Sequence, residues 1–113
     1  MSRFSNSEGR GFHLTFDNKW TISVQFSGGH YCDNKERGYD LAKELVERGE
    51  LMHSTNAEIA VWKQNGGLIW LENDQVRGYT TADEVAKVIT IVSRAKSTIN
   101  NKQMSNKLKR VWR

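Results

Sequence analysis

His30, Cys32 and Asp33 stand within four residues of one another in the stretch SGGHYCDN, residues 27–34. A thiol beside an imidazole can form a nucleophile and its base. Imidazole, thiolate and carboxylate are also zinc ligands, but zinc takes about four donors in tetrahedral array. Cys32 is the one cysteine, and the remaining histidines, His13 and His53, lie far from it in the chain. That spacing matches no zinc finger. No metal ligand, cofactor or catalytic residue is therefore assigned, and the expectation is a protein that is not an enzyme. The same stretch does suit polar recognition. Gly28 and Gly29 let backbone amides turn toward an anion, Tyr31 can stack, and His30, Asp33 and Asn34 can bond the edges of a ligand. These six residues form the first candidate site. Neither the G-x-G-x-x-G nor the Walker spacing is present, so a flexible turn is the competing reading.

A second set lies at the C-terminus: Lys102, Lys107, Lys109, Arg110 and Arg113, with Trp112 among them. Cations can contact phosphates while an indole stacks on a base or packs inward. The net charge of +4 hides an asymmetry. Residues 1–84 carry 9 Lys and Arg against 13 Asp and Glu, whereas residues 85–113 carry 8 against none. The basic quarter can engage nucleic acid or an acidic partner. It can also neutralise the acidic body of a second copy, which makes a homo-oligomer the expectation.

These residues need elements to hold them. Phe12, Leu14 and Phe16 alternate with His13 and Thr15, and Trp20, Ile22, Val24 and Phe26 alternate with Thr21, Ser23 and Gln25. That is the period-2 pattern of a hairpin, with Asn18 placed to take a positive φ in its turn. Residues 40–48 read as a short helix inserted into the sheet, with Leu41, Ala42 and Leu45 inward and Gly49 as its stop. Residues 56–63 and 68–71 read as a second hairpin joined by a type I′ turn at Asn65-Gly66, across which Trp62 and Trp70 can pair. Residues 74–79 offer a last edge strand. Thr81 and Glu84 have capping-box spacing. They open a helix over 82–97 whose stripe is Val85, Val88, Ile89 and Val92, while Ile91 lies off that stripe and implies partial cover of the outer face.

The fold class expected is α+β: an antiparallel sheet of two hairpins, four to five strands, with a C-terminal helix on one face. Residues 1–10 read as a mobile arm, 11–97 as the single domain, and 98–113 as a basic tail. The tail is expected to be an interaction element that adds little to the core, with Met104, Leu108 and Trp112 along one face. A chain of 113 residues suits one domain. No run reaches the roughly 18 to 20 apolar residues of a membrane span, and residues 1–10 show no apolar signal segment. The lone cysteine fits a reducing cytoplasm.

The chain also resembles a group of small uncharacterised accessory proteins of tailed bacteriophages. The resemblance rests on the pattern F-x-x-T-F-x-N-x-W-T-x-S-V-Q-F at residues 12–26, the Tyr-Cys-Asp-Asn box at 31–34, A-E-x-A-V-W at 57–62, and V-x-G-Y-x-T-x-x-E-V at 76–85. It covers residues 11–93 and omits 35–50 and the basic tail. It implies a phage origin and a host-facing role in the cytoplasm of the host cell, carried out by binding. The partner would be a host or defence protein that is inhibited, or a defence nucleotide signal that is sequestered. Nucleic-acid binding by the basic segment is the alternative.

Overall fold

The computed structural model describes residues 2–113. Its centre is a five-stranded antiparallel sheet whose strands lie in chain order. The strands are β1 (Arg3–Asn6), β2 (Gly11–Thr15), β3 (Trp20–Gln25), β4 (Asn56–Lys63) and β5 (Arg77–Thr81). Helix α1 (Leu41–Glu47) is inserted between β3 and β4, and α2 (Ala82–Arg94) and α3 (Asn101–Leu108) follow the sheet. The fold is α+β, as the periodicities predict.

One face of the sheet is the core. Trp20, Ile22, Val24, Ile59 and Val61 are buried there against Val85, Val88 and Val92 of α2. The Thr81–Glu84 capping box is formed in both directions, so the helix starts where its sequence directs. Leu41, Ala42 and Leu45 are the buried residues of α1, and Gly49 follows its end at φ +69°. Thr21 and Ser23, on the opposite face, are also buried. The second face is thus screened by larger neighbours; the His13 ring meets Trp62 edge-on with centroids 5.1 Å apart.

Several expectations are corrected. Residues 3–6 are no mobile arm. Arg3–Asn6 pairs antiparallel with β2, Phe4 opposite Leu14 and Asn6 opposite Phe12; Asn6 Oδ1 accepts from the Gly9 N–H at 2.6 Å and shapes the connecting turn. In the β2–β3 turn the positive φ falls on Lys19, not Asn18. Asn18 instead sends its amide to the Val92 and Ala95 carbonyls at 2.8 and 2.9 Å. It closes the C-terminal end of α2, whose last carbonyls lack the bond from the residue four further on.

On its side away from β3, β4 pairs with β5, and residues 68–71 make only isolated bridges, Trp62 with Leu68 and Leu71 with Asp74. Trp62 meets His13 in place of Trp70. Asn65 alone takes a positive φ in the turn where the Gly66 N–H reaches the Lys63 carbonyl. That is the type II pattern, not type I′.

The largest correction concerns the tail. Ile99, Met104, Leu108 and Val111 are all buried in the main core. Asn100 opens α3 with its own capping box to Gln103, and Lys63 Nζ donates to the Ser97 carbonyl, securing the connection from α2. The domain therefore runs to the last turn, Lys109–Trp112.

Candidate functional site

The 28–34 loop is bound together by its own polar groups. A Cβ on Gly28 would stand 1.6 Å from the Gly38 carbonyl oxygen, so two backbone segments cross there at a distance only glycine permits. Gly29 sits at φ +87° and gives its N–H to the Lys35 carbonyl at 3.0 Å. His30 Nδ1 accepts the Ser27 N–H at 3.1 Å, which requires a bare nitrogen and a neutral ring. Burial pushes the His30 pKa below its ordinary value, with Glu58 opposing and Arg10 adding to the shift. Cys32 is 2% exposed, and its thiol donates to the Ser27 carbonyl at 3.4 Å. The imidazole and thiol of this loop are thus each engaged with Ser27 and form no nucleophile–base pair.

Asn34 is 3% exposed. Its amide donates to the Phe26 and His53 carbonyls at 2.7 and 2.9 Å, and Oδ1 accepts from Arg37 at 3.3 Å. Asp33 accepts from the Thr55 hydroxyl, from the Thr55 N–H at 2.9 Å and from the Asn56 amide at 3.0 Å. Those donors favour the carboxylate and hold its pKa below the usual value. The Tyr31 ring remains half exposed, with Lys35 Nζ 5.6 Å from its centre. Its backbone is committed: the N–H donates to Glu58 and the carbonyl accepts from Tyr79. The loop thus gathers its six candidates but spends most of their hydrogen-bonding capacity internally.

The C-terminal candidates are divided between faces. Lys107 and Arg110 line an open groove between α2 and the last helical turns. Its floor is Ala86, Thr90, Ile91, Ala95 and Val111, and its rim carries Lys87 and Arg94 as well. The volume is about 360 Å³ toward Val111 and about 190 Å³ toward Ala95. None of these four cations has an ion-pair partner among the described residues. Lys102 and Lys109 face elsewhere, beside Leu68 and a Trp70 ring that is 56% exposed. Trp112 is half-buried under the Arg77 guanidinium, 4.2 Å from its ring centre, and Arg113 is exposed at the end of the chain.

Lys87 and Arg94 were not among the sequence candidates. They lie seven residues apart on α2 with Ile91 between them, one exposed helical stripe. The off-stripe Ile91 was the signal, and it is half-buried as expected. Only the docking of the last turn turns that stripe into a groove.

Among the described residues no group of three His, Cys, Asp or Glu stands together as a metal site, and no helix is long and apolar enough to cross a membrane. Compared with known families, curated proteins and solved structures, the chain matches none.

Proposed function

We propose that this chain is a non-enzymatic phage accessory protein that binds and inhibits a host or defence protein, and that the α2–C-terminal groove is its contact surface. The observation that carries this reading is an apolar floor rimmed by Lys87, Arg94, Lys107 and Arg110, with no acid among the residues that line it. Such a surface fits an acidic amphipathic segment: apolar side chains fill the floor and carboxylates meet the rim. The 28–34 loop offers a nucleotide less, because its amides and side chains already serve the fold.

The test is capture from nuclease-treated host lysate on immobilised protein, comparing the wild type with Lys87→Glu/Arg110→Glu. A host protein held by the wild type, released as salt rises and lost from the variant, is the expected result. An identical set of retained proteins on both would overturn the reading.

A second reading has its own observation. Trp70 is exposed beside Lys102 and Lys109, a stacking surface with cations that suits single-stranded nucleic acid. It predicts a salt-sensitive mobility shift with an unstructured oligonucleotide that Trp70→Ala abolishes. A shift unaffected by that substitution would remove Trp70 from the account.

A further inference from the structure

Phe4 is the most exposed large apolar side chain among the described residues, at 87%. Its ladder position shows which face it belongs to. Phe4 stands opposite Leu14, Leu14 opposite Ile22, and Ile22 opposite Val61. All four therefore point to the helix-covered side. The helices cover Ile22 and Val61 completely, leave Leu14 half-buried, and do not reach Phe4.

The backbone supplies an independent observation. The Ser7 N–H donates to the Gly11 carbonyl at 3.0 Å. Hydrogen-bonded pairs alternate along an antiparallel ladder. Ser5 and Arg3 therefore bond β2, while the N–H and C=O groups of Phe4 and Asn6 face away from the sheet. Two of the usual guards of an open edge, a proline and a bulge, are lacking, which leaves the strand's shortness and a single charge. The chain has no proline, β1 pairs without a bulge, and Arg3 is its one charge.

We infer that the β1 edge is an interface between two copies of this chain, paired antiparallel about a two-fold axis at Ser5. A second copy fits because the row of outward groups reads the same in both directions about that residue. Phe4 of one copy meets Asn6 of the other, each such pair exchanging both hydrogen bonds, and Ser5 faces Ser5. The two Phe4 rings then lie diagonally across the axis on the helix side, within aromatic reach. Arg3 falls opposite Ser7 and beside Glu8 of the second copy, so opposite charges approach and like charges do not. The five-stranded sheet continues across the axis. A contact of one short strand is at the small end of specific interfaces, below about 1,200 Å², so the dimer is reversible.

Sedimentation velocity from about 1 μM to about 1 mM spans the affinities such a contact can have. The expected result is a concentration-dependent monomer–dimer equilibrium. Phe4→Pro removes the ring and an outward N–H but no ladder bond, a change an edge strand tolerates; it should stay monomeric with an unchanged circular dichroism spectrum. Ser5→Cys should form a disulfide-linked dimer under mild oxidation, because facing residues in a non-hydrogen-bonded pair stand about 4.5 Å apart at Cα. Ser93→Cys, exposed on α2, is the control. A wild type that remains monomeric throughout overturns the inference. So does Ser5→Cys linking no faster than Ser93→Cys, which decides the matter even if Phe4→Pro fails to fold.

Discussion

The 28–34 loop and the 99–112 segment are each held to the same domain, by different forces. The C-terminal segment is attached through side chains that leave water: Ile99, Met104, Leu108 and Val111, each at most 9% exposed. The loop is attached through single polar side chains that each hold several partners: Asn34 holds two backbone carbonyls, and Asp33 holds one backbone N–H and two side-chain donors. Apolar burial contributes about 1.5–3 kcal/mol for each large side chain, whereas a hydrogen bond nets about 1 kcal/mol. A segment rich in charge can therefore be core, and one rich in ligand-like side chains can be scaffold.

Cutting the chain after Ser97 breaks this comparison most severely. It removes four core side chains at once, and a chain without a cooperative thermal transition is the expected outcome. A truncated protein that melts like the full chain would return residues 98–113 to the status of an appendage. Leu108→Ala is the single-site version, expected to cost about 2–5 kcal/mol by denaturant titration. On the loop, Asn34→Ala leaves the Phe26 and His53 carbonyls without their donor and should cost about 1–3 kcal/mol. If the two substitutions proved equally costly, the distinction between the segments would lose its basis.

Smaller effects follow from titration. The folded pKa of His30 lies below its ordinary value of 6.5, as does that of His13 on the sheet. Between those folded values and 6.5 the unfolded chain binds more protons, so stability is full above about pH 6.5 and declines as pH falls below it. His30→Gln should flatten part of that decline in the melting temperature; an unchanged slope would mean that the Ser27 contact does not govern the ring. Asp33 works at lower pH. Its pKa is held below 3.8 by the Thr55 and Asn56 donors, so its contribution is present above that value and lost as pH falls through the folded one. The smallest effect expected on stability is that of Lys107→Ser/Arg110→Ser, since exposed cations without partners contribute little. That variant separates binding from folding, and a large loss of stability would place those side chains in the fold.

Much of the fold was legible because it depends on neighbours close in sequence. Strand alternation in residues 12–16 and 20–26, the Val85–Val88–Val92 stripe and the Thr81–Glu84 box involve side chains within a few residues of one another. The site was less legible. Gly28 looked like an anion-binding residue, but its need for glycine arises from the Gly38 backbone crossing it. Lys107 and Arg110 were visible as charges, while Lys87 and Arg94, their companions on the groove rim, lay on another helix.

By itself the sequence determined the α+β class, the start of α2, the inward faces of most elements and the separation of acidic from basic residues. These follow from periodicity, local capping and composition, which need no knowledge of what lies across the fold. The tertiary structure alone decided what Asn18 does, because its two acceptors lie 74 and 77 residues away. It also decided that residues 3–6 become a strand, since a strand exists only when another supplies its hydrogen bonds. The basic tail became core for the same kind of reason. Its apolar residues are sparse and widely spaced, and burial of such residues is settled by the surface they meet, here the core that α2 and the sheet have already begun.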